Sequence, residues 1–202
     1  MLKQIDGWYW PEYDKHCHAA VPHQVADLER VYPFVKRFTV AVQAGGNAGM
    51  WPAAMAKKFD TVYTFEPDPL NFQCLGRNVD ALNVIKMQAA LGRLFDLVET
   101  FTPPREFSNA GAVQVRAGGA IPIIALDALP LRDCALLQLD VEGHELAALQ
   151  GAARILDTFA PVVMTEEKGL GGVPEGAIAQ FLSGFGYREV ARIHRDRIYS
   201  VD

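Results

Sequence analysis

The sequence predicts an α/β protein with a mainly parallel sheet that helices cover on both faces. Short apolar runs rich in β-branched residues alternate with stretches of helical periodicity, which is typical of βαβ units. The predicted core strands are 38–42, 61–65, 84–90, 135–139 and 161–165. Two further strands, 187–193 and 197–201, predict a C-terminal antiparallel hairpin that turns at 194–196.

A glycine-rich turn follows the first predicted strand, and the rest of the chain is organised around it. Gly45, Gly46 and Gly49 separate that strand from a helical stretch at 52–59. A strand, a glycine turn and a helix together bring backbone N–H groups up to a ligand. Glycine suits the turn because it tolerates positive φ and has no Cβ to hold a ligand away.

The spacing of the turn narrows the choice of ligand. A dinucleotide fingerprint that starts at Gly45 requires glycines where Asn47 and Met50 stand. The stretch is similar instead to the D-x-G-x-G-x-G loop of class I S-adenosylmethionine (SAM) methyltransferases. Asn47 takes the middle glycine position, which its tolerance of left-handed backbone permits. A tight turn that holds no ligand is the alternative.

The ends of the second and third predicted strands supply candidate nucleoside contacts. Glu66 lies 21 residues after Gly45 and is followed by Pro67. In nucleoside-binding α/β folds, an acidic residue at this distance from the first glycine accepts hydrogen bonds from the ribose hydroxyls. A surface carboxylate is the alternative. Asp68 and the proline after it predict the N-cap of a helix to about residue 79. Gln88 stands near the end of the third strand, where an adenine ring would lie.

Composition sets the class of protein. The 202 residues suit one domain, with an arm and helix at 1–35 and a catalytic core at 36–202. The net charge of −5 argues against nonspecific binding to nucleic acid or to an anionic membrane. Three scattered cysteines and the absence of a signal-peptide layout or an apolar span predict a cytoplasmic protein.

Two segments fall outside the alternating pattern. Residues 1–22 are expected to be irregular, with an aromatic cluster at 8–10 that could stack on a sugar ring or pack on the domain. The run His16-Cys17-His18 suggests a metal site, but a packed or substrate-covering arm fits it better because adjacent side chains diverge. Residues 25–32 predict a helix that Pro33 ends. Residues 94–124 predict a loop or a β-hairpin insertion.

Four motifs in register resemble the FkbM-type methyltransferases. They are Q-A-G-G-N-A-G-M, F-E-P-D-P-L-N, L-D-A-L and L-Q-L-D-V-E-G-H-E, which extend from Phe38 to about Glu167 in the family's order. The resemblance implies a class I, Rossmann-like methyltransferase fold with a mostly parallel seven-stranded sheet and a C-terminal antiparallel hairpin. It also implies SAM as cofactor and O-methylation of a hydroxyl on a sugar or another small metabolite.

Carried over to this chain, the resemblance and the spacing give a set of cofactor-binding residues. They are Gln43, Gly45, Gly46, Asn47, Gly49, Met50, Glu66, Pro67, Gln88 and Asp140. Two positions depart from the family pattern. Gln43 replaces the acidic residue that helps to hold the ammonium group of SAM, so a hydrogen bond remains but its charge assistance is lost. Gln138 replaces a lysine.

The sequence Asp140-Val141-Glu142-Gly143-His144-Glu145 is the richest cluster of acid–base groups. It follows the fourth predicted strand, beside the glycine turn, where open α/β sheets bind ligands. His144 is the candidate general base, assisted by Asp140. A divalent cation on Asp140 and Glu142 is the competing mechanism. The plainer alternatives are that His144 only opens a helix towards solvent and that Glu142 and Glu145 only favour its N-terminus.

Two other functions remain open at this point. A noncatalytic binding module could use the same fold, and an NAD-dependent oxidoreductase could use Glu66 equally well. The glycine spacing and the lack of a Tyr-x-x-x-Lys pair weigh against the oxidoreductase. The expected partner is a small-molecule or carbohydrate acceptor. The sequence specifies neither the identity of this acceptor nor the oligomeric state.

Overall fold

A computed structural model describes residues 1–166 and 171–201. Glu167, the last residue of the family resemblance, lies outside the described residues. The strands are β1 (Leu2–Ile5), β2 (Trp8–Pro11), β3 (Val40–Ala44), β4 (Thr61–Phe65), β5 (Val84–Met87), β6 (Ala90–Leu91), β7 (Asp96–Phe101), β8 (Gln114–Ala117), β9 (Ile121–Ile124), β10 (Leu136–Leu139), β11 (Val162–Glu166), β12 (Arg188–Ile193) and β13 (Asp196–Ser200). The helices are α1 (Cys17–Val25), α2 (Leu28–Val31), α3 (Met50–Met55), α4 (Pro69–Asn78), α5 (Glu145–Gln150), α6 (Ala153–Phe159) and α7 (Ala177–Ser183).

The central sheet has seven strands in the order β12-β13-β11-β10-β3-β4-β5. The five strands from β11 to β5 are parallel to one another. β13 pairs antiparallel with β11 and with β12, so the C-terminal hairpin closes one edge. The predicted class I methyltransferase architecture is confirmed. The carboxyl ends of β4, β3, β10 and β11 consequently lie side by side.

Alternate residues of the central strands pack on opposite faces of the sheet, as the pleat requires. Ala41 belongs to the apolar cluster that includes α1 to α4, whereas Val42 belongs to the cluster formed with α5, α6 and α7. Both side chains are fully buried. The sheet is therefore covered on both faces, and its polar end groups are left to form a site at the carboxyl edge.

The third strand and the insertion are organised differently from the prediction. β5 ends at Met87, and Ala90–Leu91 pair with β9 in a second sheet of order β6-β9-β7-β8. The predicted strand at 84–90 therefore divides between two sheets. The insertion is more than a hairpin, because β7 pairs with both β8 and β9.

The expectation that residues 1–22 are irregular is wrong. β1 and β2 form a hairpin whose two-residue turn, Asp6 and Gly7, has positive φ at both positions. An Asp-Gly pair between apolar residues is a strong local hairpin signal, so the sequence did carry this information. Asn78 holds the hairpin on α4, since its side chain accepts from the Tyr9 N–H at 2.7 Å and donates to the Tyr9 carbonyl at 2.8 Å.

The predicted helix at 25–32 is also wrong in its extent. α1 begins at Cys17, ends at Val25 and contains Pro22, and a turn at 26–27 separates it from α2. Within the described residues, no helix is long and apolar enough to cross a membrane.

The helical segment that follows β10 is interrupted at Gly151 and Ala152. α5 ends at Gln150 and α6 begins at Ala153. A Cβ on Gly151 would lie 1.9 Å from the Gly92 carbonyl oxygen, so the backbones meet here and no side chain fits.

Candidate active site

A cavity of ≈ 420 Å³ opens at the carboxyl ends of β4, β3, β10 and β11. One side, the sheet wall, lies at the ends of the strands and consists of Ala44, Gly45, Asn47, Phe65, Glu66, Pro67, Asp140, Val141, Glu142 and His144. The facing side, the arm wall, consists of His16, Cys17, Ala20, Val21 and Gln24 in and before α1 and of Asn109, Ala110 and Gly111 in the insertion. The turn between β12 and β13 contributes to the rim. The site therefore combines the core with segments distant from it in sequence.

The glycines of the turn are required by the protein's own packing. A Cβ on Gly45, which has φ +87°, would lie 1.9 Å from the Asp140 carbonyl oxygen. On Gly49, at φ +98°, it would lie 2.6 Å from Val79 Cγ2. The expected positive φ is confirmed at Gly45 and Gly49, and the space beside each missing Cβ is taken up by the protein's own atoms. Gly45 lines the cavity, whereas Gly46, Gly49 and Met50 lie outside its lining.

Asn47 replaces the middle glycine of the loop and has φ +46°, as its left-handed tolerance allows. Its side chain accepts the Ala48 N–H at 2.6 Å, which stabilises the turn locally. Its backbone N–H donates to Glu66 Oε2 at 2.7 Å. The glycine turn and the end of β4 are therefore joined directly.

Glu66 is a buried carboxylate on the sheet wall, with 4% of its surface exposed. Besides the Asn47 N–H, it accepts the Asp68 N–H at 2.8 Å. Burial raises the pKa of Glu66 to about 8, although these backbone hydrogen bonds oppose the shift. Pro67 also lines the cavity. The predicted N-cap is present, because Asp68 accepts the N–H groups of Leu70 and Asn71.

Gln43 is fully buried on β3 and lies outside the cavity lining. Its Nε2 donates to the Gly45 carbonyl at 2.9 Å, and its Oε1 accepts from the Thr64 hydroxyl on β4. The other departure from the family pattern, Gln138, is also buried. Gln88 is exposed and lies outside the cavity. The lining near the end of β5 is instead apolar, with Ala89, Ala90, Leu91, Val113 and Val115.

The segment 140–144 forms a sharp turn between β10 and α5. Glu142 and Gly143 both have positive φ, at +50° and +96°. The Glu145 carboxylate is buried and holds this turn, since it accepts the N–H groups of Val141 at 3.2 Å and Gly143 at 3.0 Å. Glu145 thus has a definite structural role beyond a favourable charge at a helix N-terminus.

Asp140, Glu142 and His144 all line the cavity. The imidazole of His144 is half-buried, and its Nε2 lies 3.3 Å from the position that a Cβ on Gly92 would occupy. Burial lowers the pKa of His144, so the ring is neutral at neutral pH. A neutral imidazole in the cavity wall can accept a proton from a bound hydroxyl.

Neither proposed metal site has a preformed cluster. Across residues 1–166 and 171–201, no group of three or more His, Cys, Asp or Glu side chains could hold a metal ion. The three residues of the His-Cys-His run have different partners. His16 Nε2 contacts Ser108 Oγ at 3.2 Å, Cys17 Sγ contacts Asn109 Oδ1 at 3.1 Å, and His18 Nδ1 contacts Asp14 Oδ2 at 3.0 Å.

Asp14 organises the arm wall and was not anticipated from the sequence. Its carboxylate has no exposed surface and accepts the N–H groups of Cys17, His18 and Ala110, each at 3.1 Å. Burial alone would raise the pKa of Asp14, but these donors and the His18 ring lower it. An aspartate three residues before a helix is a weak cap signal. Its contact with Ala110, 96 residues away, has no local signature.

The two walls meet through Asn71. This buried side chain donates to the Ala110 carbonyl at 2.9 Å, and it also hydrogen-bonds the Glu66 carboxylate, which lowers that group's pKa. The aromatic cluster at 8–10 does not line the cavity. Trp10 is buried, and the Arg77 guanidinium lies 5.2 Å from the Tyr9 ring centre, so the cluster packs on α4.

Solved structures share this fold. A methyltransferase FkbM from Methylobacillus flagellatus KT superposes with a TM-score of 0.60 at 19% identity, over 83% of this chain and 45% of that one. A magnesium protoporphyrin IX methyltransferase from Synechocystis PCC 6803 with bound SAM gives 0.53 at 11% identity, over 98% and 84%. A ribosomal protein L11 methylase from Lactobacillus delbrueckii subsp. bulgaricus gives 0.53 at 13%, over 88% and 77%.

The present chain thus spans less than half the length of the FkbM structure. No curated protein sequence matches the present chain closely. The sequence model of the FkbM methyltransferase domain matches residues 43–189, which include the whole sheet wall. This match extends over more than half of the chain and confirms the resemblance seen in the motifs. The protein belongs to the FkbM methyltransferase family, whose members have the SAM-dependent methyltransferase fold.

Proposed function

We propose that this protein transfers the methyl group of SAM to a hydroxyl of a sugar or another small polar metabolite. The observation that carries the proposal is the position of Glu66. Its carboxylate is fixed by two backbone N–H groups, and the strand order places it between the apolar residues that follow β5 and the end of β10, where Asp140 and Glu142 lie. The parts of SAM match these regions in the same order. The base is apolar, the ribose donates hydrogen bonds and the methionyl group carries positive charge.

The cavity lining fits this cofactor residue by residue. Ala89, Ala90 and Leu91 supply apolar surface for an adenine ring. Glu66 retains acceptor capacity for ribose hydroxyls, because each of its oxygens accepts one backbone N–H and an oxygen of a carboxylate can accept more than one. Bound SAM would supply an activated methyl group on a sulfonium. The chain's task is then to align an acceptor oxygen and to remove its proton.

His144 is the residue best placed to take that proton. Its ring is in the cavity wall, it is neutral because burial lowers its pKa, and the Glu145 carboxylate fixes the turn before it. The arm wall would close over the acceptor and limit access of water to the reacting atoms. This role explains why a segment outside the family match takes part in the cavity.

A pair of binding titrations tests the proposal. Calorimetric titration with SAM should show saturable binding, and NAD should show none at the same concentrations. A turnover assay should then follow transfer of labelled methyl to a panel of sugars and hydroxylated metabolites, with amines and carboxylates as comparison acceptors. Binding without transfer to any acceptor would support the noncatalytic alternative, and binding of NAD alone would overturn the proposal.

A further inference from the structure

Gly92 lies in the wall beside the imidazole of His144. It is buried and directly follows β6. A Cβ at this position would lie 3.3 Å from Nε2 of His144, 3.8 Å from Cδ2 of the same ring and 2.6 Å from Cγ2 of Ile123 on β9. The φ of Gly92 is outside the left-handed region. A larger residue is therefore opposed by the neighbours of Gly92 and not by its backbone conformation.

The backbone of Gly92 is fixed on both sides. Its N–H donates to the Ile124 carbonyl at 3.1 Å, and its carbonyl oxygen would lie only 1.9 Å from a Cβ on Gly151. His144 directly precedes α5 and Gly151 directly follows it. Gly92 therefore packs against the residues at both ends of this helix. A shift of Gly92 would disturb the packing of α5 on the second sheet.

The same contact fixes which edge of the imidazole faces the wall. Nε2 and Cδ2 are the ring atoms nearest to the Cβ position of Gly92. Nδ1 is the ring atom opposite the bond between these two, so it points away from Gly92. His144 and Leu91 line the cavity, whereas Gly92 lies outside its lining. Nδ1 is accordingly the ring nitrogen on the cavity side.

The geometry points to Gly92 as a positioning residue for His144, which leaves Nδ1 as the nitrogen that takes the proton of the acceptor hydroxyl. This inference rests on the proposed function, and it assigns the proton transfer to one atom. The role requires the tautomer that carries its hydrogen on Nε2, and the ring becomes an imidazolium once Nδ1 has accepted the proton. A side chain at position 92 would be pressed against the ring, because Ile123 is β-branched and its Cγ2 moves only if χ1 changes.

Nuclear magnetic resonance of the ligand-free wild type tests the ring orientation. The His144 signals are identified by their absence from His144→Gln. The Hα protons of Gly92 should show a stronger nuclear Overhauser contact with Hδ2 of His144 than with Hε1. The nitrogen shifts of the neutral ring should be those of the tautomer protonated on Nε2. A stronger contact with Hε1, or a ring that carries its hydrogen on Nδ1, would overturn the inference.

Gly92→Ala tests the consequence for the reaction. The new methyl group should turn the ring out of the wall, so the pKa of His144 should rise towards its ordinary value of about 6.5. Turnover should fall about 10- to 100-fold, while SAM affinity changes by about threefold or less. Gly76→Ala is the matched control, because a Cβ there meets no atom of the described residues within 4 Å. It should keep the wild-type pKa of His144 and the wild-type turnover.

A rescue variant separates positioning from a general loss of structure. Ile123→Ala removes the Cγ2 that opposes the new Cβ, so Gly92→Ala/Ile123→Ala should regain the wild-type pKa of His144 and the turnover of Ile123→Ala. If Gly92→Ala loses turnover while the pKa of His144 is unchanged, or if the double variant recovers neither property, the inference is wrong. If SAM does not bind the folded wild type, the proposed function fails, whereas the ring orientation is decided by the magnetic resonance experiment alone.

Discussion

The two walls of the cavity are built in different ways. On the sheet wall, the bonds connect neighbouring strands, as where the Asn47 N–H meets Glu66 only 19 residues away and the Gly45 and Gly46 N–H groups meet the Phe65 carbonyl. On the arm wall, Asp14 and Ala110 are 96 residues apart, and Cys17 and Asn109 are 92 apart. The sheet wall is a consequence of strand order. The arm wall depends on a few side chains.

The buried carboxylates of the two walls show the same contrast in their electrostatics. Asp14 accepts four backbone N–H groups, those of His16, Cys17, His18 and Ala110, and contacts the His18 ring, and its pKa is lowered despite burial. Glu66 accepts two backbone N–H groups, and burial raises its pKa to about 8. Asp14 is saturated by the protein and acts as a structural anchor. Glu66 has fewer backbone donors than Asp14 besides its hydrogen bond with Asn71, and in the proposed function ribose hydroxyls would join these donors.

The largest effect is expected from His144, which lies on the sheet wall next to Gly92 of the segment that leads into the insertion. His144→Gln keeps a hydrogen-bonding side chain but removes its basicity. Turnover should fall about 10²–10⁴-fold while SAM affinity stays unchanged. In the wild type the rate should rise as the imidazole loses its proton, through a pKa below about 6.5, because burial lowers it.

A chelator separates the base from a metal mechanism. If activity survives His144→Gln but disappears with a chelator, the catalytic role passes to a cation on Asp140 and Glu142. If it survives both treatments, neither mechanism holds. His23→Gln is a suitable matched control, because this exposed histidine of α1 lies outside the cavity lining.

Asp14→Ala should separate the two walls. It removes the acceptor for Cys17, His18 and Ala110 together, and the free energy of unfolding should fall by about 2–4 kcal/mol. Hydrogen exchange of the Ala110 amide should accelerate. SAM affinity should change by about threefold or less, because the sheet wall keeps its own bonds, whereas turnover should fall by about tenfold or more. Equal losses of SAM binding and turnover would show that the walls are not independent.

This contrast explains which parts of the fold could be predicted. β4 occupies the predicted residues 61–65, and α4 begins at Pro69 after its Asp68 cap, because strand periodicity and capping chemistry are local. The glycine turn and Glu66 were also identified from short spacings. The N-terminal hairpin has a local signal in its Asp6-Gly7 turn, but its attachment to α4 through Asn78 joins residues that are far apart in the sequence.

The rest of the site depends on contacts that no local pattern contains. Asp14 lies outside the family match, and it meets Ala110 only because the insertion returns over the sheet edge. Gly45 has the positive φ that the turn predicts, but its missing Cβ also makes room for the Asp140 backbone, a contact that no local pattern contains. Gln88 is shifted away from the cavity because β5 ends at Met87 and the chain then enters the second sheet. In these three cases tertiary packing decides the outcome.

Glu66→Gln should weaken the sheet wall and leave the arm wall intact. Glutamine can accept at one of the two backbone N–H groups, but its amide nitrogen then faces the other donor. SAM affinity should fall by roughly 1.5–3 kcal/mol, the scale of hydrogen bonds to a charged group. Exchange of the Ala110 amide should stay at the wild-type rate. Glu99→Gln, a surface variant beside Arg116, is the matched control. Unchanged affinity in folded Glu66→Gln would exclude a ribose role.

The smallest effect is expected for the pH dependence of nucleoside binding. It tests whether the Glu66 carboxylate accepts hydrogen bonds from the ribose hydroxyls of a ligand. Ribose hydroxyls donate to the ionised carboxylate, so ligand binding favours loss of the Glu66 proton. Because the pKa of the free protein is raised to about 8, affinity should increase as pH rises from about 6 and level off above about 8. The probe is 5′-methylthioadenosine, which carries the ribose but no amino group that titrates in this range.

The control for this titration is Glu66→Gln, whose affinity should not vary across the same interval. The same raised pKa has the opposite effect on the stability of the unliganded fold. A carboxyl group with a higher pKa in the folded state stabilises the fold at low pH, and this contribution is lost as pH rises from about 4.5 through about 8. The midpoint of thermal unfolding should therefore decline with pH in the free protein, and saturating 5′-methylthioadenosine should reduce that decline. A binding affinity that does not change with pH in the wild type would mean that the ribose does not lie on Glu66. The proposed contrast between a sheet wall whose hydrogen bonds a ligand completes and an arm wall whose hydrogen bonds are all internal would then be wrong.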